Sequence, residues 1–258
     1  MASTRHYSAI VAAGGSSTRY GANKLREKVG GKAVLSHSLD RFAEDDDCIE
    51  VILCAGPDVR EWIEANPLVF SGSKLRVVEG GASRAESVSN GASAAKGEWL
   101  AVHDGARPNF SVDLIDALKR AVQSGVGAVP ALAVSDAVAY VDATAETKAE
   151  TDFFGKPVAN RTTGRIRAHA ERADLFAIQT PQFFEAVSYH EALDRVGDAL
   201  ASYADDSALY IAGGYSVVCV PGARGNIKLT TPDDMQLLLK LMGGGEKKGK
   251  DKYGGLGW

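Results

Sequence analysis

The sequence predicts an α/β protein in which a parallel sheet is covered by helices on both faces. Apolar segments alternate with amphipathic segments along the chain, and most of the apolar segments end in glycine. Strands that are apolar without interruption are typical of a sheet buried on both faces, because a strand with one solvated face alternates apolar and polar residues. The five predicted strands are YSAIVAAGG, EVILCAG, LRVVEGG, EWLAVHDGARP and VGAVPALAV.

Helices are predicted between and after these strands. In the first, Leu35, Leu39 and Phe42 recur at the spacing of one helical face. The last begins with Pro232 and two acidic residues, a pattern that suits the first turn of a helix. The other predicted helices are RAESVSNGASAAK, VDLIDALKRAVQ and EAVSYHEALDRV.

The composition is that of a globular protein and excludes several classes of partner. Of the 258 residues, 45% are hydrophobic and 24% are charged, and the net charge is −4. This balance disfavours a broad basic face for nucleic acid. The apolar runs are all far shorter than the roughly 18 residues of a membrane span, and the three cysteines lack the spacing of a metal site. We therefore expect a cytoplasmic protein without a nucleic-acid or membrane partner.

Two segments interrupt the α/β pattern. Residues 137–172 are predicted to form an arm outside the sheet, because most of this segment is polar and has no clear periodicity. Residues 243–258 are rich in glycine and lysine and are predicted to be a disordered tail. The remaining residues of the range 1–242 form a single predicted domain into which the arm is inserted.

A loop of glycine, hydroxyl-bearing and basic residues follows the first predicted strand. It reads AAGGSSTRYGANK, from Ala12 to Lys24. Glycine lets backbone N–H groups approach an anion closely, and Arg19 and Lys24 add positive charge beside them. The loop matches neither the Walker pattern nor the GxGxxG pattern of nicotinamide dinucleotide enzymes. A polyphosphate-binding loop and a solvated glycine-rich turn both remain open on this segment alone.

Further polar residues are predicted beyond the ends of other strands. Gly80 precedes a helix that starts near Arg84 and Ser87, and Asp104 follows the fourth strand. A single carboxylate there is suited to anchoring Mg²⁺ beside phosphates. Lys228 lies between two apolar residues and is predicted at a strand end that directs it to the same place. A helix cap, a turn acid and a solvated lysine are the alternative interpretations.

Taken in order, these motifs resemble those of the 2-C-methyl-D-erythritol 4-phosphate cytidylyltransferase family. They are AAGG…TR…NK, GGxxRxxSV, VHDGARP, QTPQFF and NIKLTTPDD, and the similarity runs from about Ser8 to Leu241. The resemblance implies a Rossmann-like nucleotidyltransferase fold with a protruding arm. It also implies a reaction of isoprenoid precursor synthesis, in which CTP and the methylerythritol phosphate give a CDP-alcohol and pyrophosphate.

The resemblance implies roles for the residues that match the family motifs. The catalytic cations would be Arg19, Lys24 and Lys228, and Asp104 would hold Mg²⁺. His103 is predicted to be structural, because an ionised phosphate acceptor needs no general base. The implied nucleotide-binding residues are Ala12, Ala13, Gly14, Gly15, Gly80, Arg84 and Ser87.

On the acceptor side, the resemblance implies that Arg172 and Thr180 bind the polyol phosphate. The family's arm embraces a second subunit, so a homodimer with a shared site is expected. The sequence departs from the family at VSDAV, where Ala137 replaces a threonine that faces the acceptor. Ribitol 5-phosphate therefore stays open as an alternative acceptor. A non-catalytic nucleotide-binding protein is the alternative of another class.

Overall fold

The computed structural model describes residues 5–14, 24–67, 70, 72–143 and 164–243. Within these ranges the strands are β1 (Tyr7–Ala12), β2 (Lys28–Val29), β3 (Lys32–Ala33), β4 (Cys48–Ala55), β5 (Leu75–Glu79), β6 (Trp99–Asp104), β7 (Val126–Ala133), β8 (Ala139–Ala143), β9 (Gly164–His169), β10 (Phe176–Ile178), β11 (Gln182–Glu185) and β12 (Ser216–Pro221). The helices are α1 (Val34–Ala43), α2 (Pro57–Ala65), α3 (Arg84–Ala94), α4 (Val112–Ala121), α5 (Ala186–Val196), α6 (Asp206–Ala212) and α7 (Pro232–Met242), with a 3₁₀ helix at Gly197–Ser202.

The central sheet of the described residues has eight strands. In space the order is β5, β4, β1, β6, β11, β7 and β12, and β10 lies beside β7. The first four strands are parallel to one another, and β12 is parallel to β7. The five strands predicted from the sequence are β1, β4, β5, β6 and β7.

Two strands of the sheet run antiparallel to their neighbours, so the predicted parallel sheet is extended by antiparallel strands into a mixed sheet. β10 pairs with β7, and β11 pairs with β6 from Gln182 opposite Val102 to Glu185 opposite Trp99. The reason lies in the connection, because the chain leaves the sheet at the end of β7 and re-enters at the same edge. A segment that enters there must run against its parallel neighbours.

Helices cover both faces of this sheet and bury a separate core on each. On one face α1, α2, α4 and α7 pack on the sheet, and Leu35, Leu39 and Phe42 of α1 are fully buried there. On the other face the core is built from α3, α5 and α6. In β1, Val11 belongs to the first core and Ile10 to the second, as expected for a strand buried on both sides. The predicted fold class is confirmed.

Outside the central sheet, β8 and β9 form a separate antiparallel pair with Ala139 opposite His169. This pair lies in the segment predicted to be an arm, and residues 144–163 of that segment are outside the described ranges. The side chains of Tyr140 and Ile166 are 56% and 58% exposed. The predicted tail lies outside the described residues from 244 onward. In the described part of the chain, none of the helices has the length and apolarity needed to cross a membrane.

Candidate active site

The carboxyl ends of β1, β4, β5 and β6 meet at one edge of the sheet, where ligands of open α/β sheets bind. Ala12 stands in register with Asp104 on the neighbouring strand. The Ala13 N–H donates to the carbonyl of Cys54 at 2.9 Å, and the Gly80 N–H donates to the last residue of β4 at 3.0 Å. The predicted nucleotide loops and the predicted metal carboxylate therefore share this edge.

Ser87 lies between the two glycine loops. Its side chain is buried, and its hydroxyl donates to the Ser83 carbonyl at 2.8 Å and accepts from the Gly81 N–H at 2.9 Å. A Cβ atom on Gly14 or Gly80 would lie 3.3 Å from Ser87 Oγ, so glycine allows both loops to approach it closely. The structure thus gives Ser87 a loop-holding role, and its contact with a nucleotide stays a prediction.

The start of α3 contains the helix cap that the sequence left open, and the nucleotide contact of Arg84 stays a prediction. Ser83 is the N-cap, and its side chain and that of Glu86 form a reciprocal capping box. Arg84 is the first residue of the helix, and its side chain extends to Asp104. The cap therefore fixes the position from which Arg84 reaches the sheet edge.

Asp104 is the centre of a group of ion pairs, which we call the Asp104 cluster and which comprises Asp104, Arg84, Arg107, Lys228 and Asp206. Asp104 is 7% exposed. Its Oδ1 accepts a hydrogen bond from Arg84 Nε at 2.9 Å, and its Oδ2 lies 2.8 Å from Lys228 Nζ and 3.5 Å from Arg107 Nε. A buried carboxylate is stable in this place because three cations face it.

The electrostatics of the cluster favour the charged forms of Asp104 and Arg84. Burial by itself would raise the pKa of Asp104, but the charges of Arg84 and Lys228 outweigh it and hold that pKa well below its usual range. Burial would likewise lower the pKa of Arg84, and the carboxylates of Asp206 and Asp104 raise it above its ordinary value instead. The Asp104 carboxylate is therefore ionised at neutral pH.

Lys228 reaches the cluster from a loop. The prediction that it lies at the end of a strand was wrong. β12 ends at Pro221, and residues 226–230 belong to an irregular segment before α7. Asn226 holds this segment, because its side chain donates to the Thr180 carbonyl at 2.9 Å and its carbonyl accepts from Arg107 Nη1 at 2.9 Å. These hydrogen bonds replace the pairing of a strand and set the position of Lys228.

His103 and Thr180 form a buried chain of hydrogen-bonding groups beside the backbone of Asp104. Thr180 Oγ1 accepts from the Asp104 N–H at 3.1 Å and lies 2.9 Å from His103 Nδ1, while His103 Nε2 lies 3.1 Å from the Arg107 carbonyl. Complete burial lowers the pKa of His103 from 6.5 to about 3, so the ring is neutral at physiological pH. These contacts agree with a structural His103. They give Thr180 a supporting role, and its predicted contact with the acceptor stays a prediction.

Of the remaining predicted site residues, Arg172 and Lys24 lie within the described ranges. Arg172 is exposed near the base of the arm, where its Nη1 donates to the Ser135 carbonyl at 2.8 Å. Lys24 is half-buried in the turn that precedes β2. Gly15 and Arg19 lie outside the described residues, so their predicted roles are untested.

Two members of the cluster were not predicted from the sequence. Arg107 stands three residues after Asp104 within the VHDGARP motif, so a signal for it was present. Asp206 is 1% exposed and lies 2.7 Å from Arg84 Nη1 through its Oδ2 atom. The consecutive acids of YADDSA indicate a helix start, but no sequence pattern connects them to Arg84.

Solved structures of nucleotidyltransferases have the same α/β fold as this chain. The 4-diphosphocytidyl-2C-methyl-D-erythritol synthase of Anaerococcus prevotii DSM 20548 gives a TM-score of 0.70 at 26% identity, over 93% of this chain and 99% of that one. The 2-C-methyl-D-erythritol 4-phosphate cytidylyltransferase of Thermus thermophilus gives 0.68 at 29% identity, over 91% and 98%. The fold thus defines the chain as an α/β protein of the nucleotidyltransferase class.

Its sequence matches the family IspD, 2-C-methyl-D-erythritol 4-phosphate cytidylyltransferase, over residues 7–154 and 157–242. The chain belongs to this family, as its motifs predicted. It is 34% identical over 239 residues to the cytidylyltransferase of Cereibacter sphaeroides (strain KD131), and covers 96% of that protein. It is 36% identical over 230 residues to the bifunctional enzyme IspD/IspF of Anaeromyxobacter sp. (strain Fw109-5), of whose length it spans 55%.

Proposed function

We propose that the protein transfers the cytidylyl group of CTP to 2-C-methyl-D-erythritol 4-phosphate and releases pyrophosphate, a step in the synthesis of isoprenoid precursors. The observation that carries the proposal is the Asp104 cluster, in which three cations converge on a buried carboxylate at the sheet edge. In a chain of the cytidylyltransferase family, cations at this edge are suited to binding a triphosphate and a phosphate monoester together.

The proposed chemistry is a single in-line displacement. A phosphate oxygen of the acceptor attacks the α-phosphorus of CTP, a P–O bond forms, and the bond to the β-phosphate breaks as its electron pair leaves with pyrophosphate. A phosphate monoester is ionised near neutral pH, so the attacking oxygen has no proton to lose. The barrier is then mainly the repulsion between two anions, which Arg19, Lys24 and Lys228 would reduce.

A magnesium ion fits this site through Asp104. Among the described residues there is no group of three or more His, Cys, Asp or Glu side chains arranged for a metal. Mg²⁺ does not need one, because it often binds one or two carboxylates together with substrate phosphates and waters. Asp104 is ionised and would hold the ion, which would supply positive charge at the departing phosphates. Lys228, which lies 2.8 Å from Asp104 Oδ2, would then be available to the phosphates.

A second acceptor is favoured by one observation. Ala137 is exposed where the family pattern has a threonine, so one hydroxyl donor to the polyol phosphate is missing. Ribitol 5-phosphate is the alternative acceptor for this reason. The nucleotide half of the reaction would be unchanged.

We further propose that the active protein is a homodimer joined by the arm. The described part of the arm, β8 and β9, carries the exposed apolar side chains of Tyr140 and Ile166. Apolar side chains on a two-stranded sheet are stabilised when another surface covers them. Arg172 follows β9, so an arm that extends to a second subunit would carry this arginine with it.

Pyrophosphate release tests the function directly. The purified protein is assayed with CTP, ATP, GTP and UTP, with each polyol phosphate, and with Mg²⁺ or excess chelator. We expect release from CTP with the methylerythritol phosphate and a loss of activity in chelator. Equal rates with ATP would contradict the proposal, and a preference for ribitol 5-phosphate would select the alternative acceptor.

A further inference from the structure

Asp206 contacts the Arg84 guanidinium group at a different nitrogen from Asp104. Its Oδ2 lies 2.7 Å from Arg84 Nη1, and its Oδ1 accepts a hydrogen bond from the Tyr189 hydroxyl at 2.8 Å. Arg84 Nε donates to Asp104 Oδ1 at the same time, at 2.9 Å. The guanidinium group is thus held between two carboxylates through two different nitrogens.

The backbone that carries Asp206 is itself fixed to the central sheet. Asp205 caps α6 by accepting from the Ser207 N–H at 2.9 Å, and its Oδ2 accepts from Gln182 Nε2 at 2.7 Å. Gln182 is fully buried in β11, and its Oε1 accepts from the same Ser207 N–H at 3.1 Å. Asp206 therefore has a defined position relative to the strand that neighbours β6.

We propose that Asp206 is a positioning residue for the nucleotide side of the reaction and acts through Arg84. This inference rests on the proposed cytidylyl transfer. A guanidinium group held at one nitrogen can pivot about that contact, whereas ion pairs at two nitrogens fix its orientation. Asp206 supplies the second ion pair, at Nη1, so that Arg84 keeps one orientation at the start of α3 beside the glycine loops. Asp206 is too deeply buried to contact a substrate and acts only on the arginine.

The removal of this support should let the Arg84 guanidinium pivot about its contact with Asp104 and lose its orientation toward the nucleotide. A displacement of about 1 Å in a substrate-positioning group can cost about 10²-fold in rate. The isosteric variant Asp206→Asn keeps the shape and one acceptor oxygen but removes the charge. We expect it to raise the KM for CTP by about tenfold and to change kcat by less than about threefold.

An exposed aspartate provides the control. Asp194→Asn makes the same chemical change on α5, the helix that carries Tyr189. Asp194 is exposed, so both kinetic constants should stay within about twofold of the wild type. A merely structural defect would lower the fraction of active enzyme, and hence kcat, without raising KM.

A double variant tests whether Asp206 acts through Arg84. In an Arg84→Gln background, Asp206→Asn should change the Kd for CTP, measured by calorimetry, by less than about twofold. Tyr189→Phe removes one hydrogen bond to Asp206 but not its charge, and should raise the KM for CTP by about two- to fivefold. This milder variant keeps the test available if Asp206→Asn does not fold.

Three results would overturn the inference. The first is a folded Asp206→Asn protein with an unchanged KM for CTP. The second is an equal loss of CTP affinity on Asp206→Asn substitution with and without Arg84. The third applies where Asp206→Asn does not fold, and is an unchanged KM for CTP in Tyr189→Phe. A wild-type protein that binds CTP but releases no pyrophosphate would instead contradict the proposed function, and the Kd for CTP would still decide the role of Asp206.

Discussion

Lys228 contacts the buried Asp104 carboxylate from a loop, and single substitutions can separate its charge from its structural role. Lys228→Gln keeps most of the side chain but removes the cation proposed to act on the phosphates. We expect kcat to fall by about 10²–10³-fold, the range found when one transition-state contact is lost. Steady-state pyrophosphate release measures the loss. Lys240→Gln, at an exposed position of α7, is the control and should retain full activity, and an equally active Lys228→Gln protein would exclude the residue from the mechanism.

The lowered pKa of His103 predicts that the stability of the folded protein depends on pH. Its pKa in the folded protein is about 3, below the ordinary 6.5, so the unfolded chain takes up the proton first as the pH falls. The contribution of the neutral ring to the free energy of unfolding is therefore complete above about pH 6.5. It is lost as the pH falls toward 3, by about 1.4 kcal/mol per pH unit. Urea unfolding should give a free energy about 2 kcal/mol lower at pH 5 than at pH 7. In His103→Gln this difference should shrink, and an unchanged slope would refute the assignment.

Among the residues of the site, the sequence predicted most of those that belong to a recognised motif, although it missed Arg107 of VHDGARP, and it missed Asp206, whose ion pair joins distant parts of the chain. Asp104 and Arg84 follow strand ends in recognisable motifs, so their meeting at the sheet edge was predictable from the parallel order of the strands. Lys228 was placed correctly at this edge but in the wrong kind of segment. Asp206 was missed because its ion pair depends on how the tertiary fold brings the start of α6 to the start of α3, which no local pattern encodes.

At the scale of elements, α3 and the glycine loops depend on the buried hydroxyl of Ser87. Ser87→Ala leaves the partly buried Gly81 N–H without its acceptor, and such a loss costs up to about 1–3 kcal/mol, the range for a fully buried donor. The loop should move, and we expect the KM for CTP to rise by about tenfold. Ser93 is the matched control on the same helix, because its hydroxyl makes the same kind of bond to Ser89 but is exposed. A Ser87→Ala protein with the kinetics of Ser93→Ala would contradict this role.

The elements themselves were predicted to different extents for physical reasons. In long apolar strands and in amphipathic helices such as α1 and α4, the pattern of apolar residues itself indicates which side chains are buried. These elements were therefore predictable. The direction of β11 depends on where the chain returns from the arm, which its own residues do not specify. α2 was overlooked although Pro57 and Asp58 repeat the proline and acid that mark the start of α7.

At the scale of the whole molecule, the proposed dimer determines how a complete site is assembled. If Arg172 of one subunit serves the partner's acceptor site, then Lys24 and Arg172 of one site come from different chains. Lys24→Ala and Arg172→Ala proteins should each be inactive as homodimers. A heterodimer of the two would contain one site with both residues intact and one site with neither.

Co-expression of the two variants should therefore restore activity. With random pairing, half of the dimers are heterodimers, and each heterodimer has one complete site of two. We therefore expect the mixture to have about a quarter of the wild-type rate. Heterodimers isolated through two different affinity tags should have about half of it. The control is co-expression of Lys24→Ala with Lys228→Ala. Each of these residues would serve the site of its own chain, so each site of the heterodimer lacks one residue and no complete site can form. Verified heterodimers without recovered activity would reject the shared site, as would a wild-type protein that sediments as a monomer during turnover.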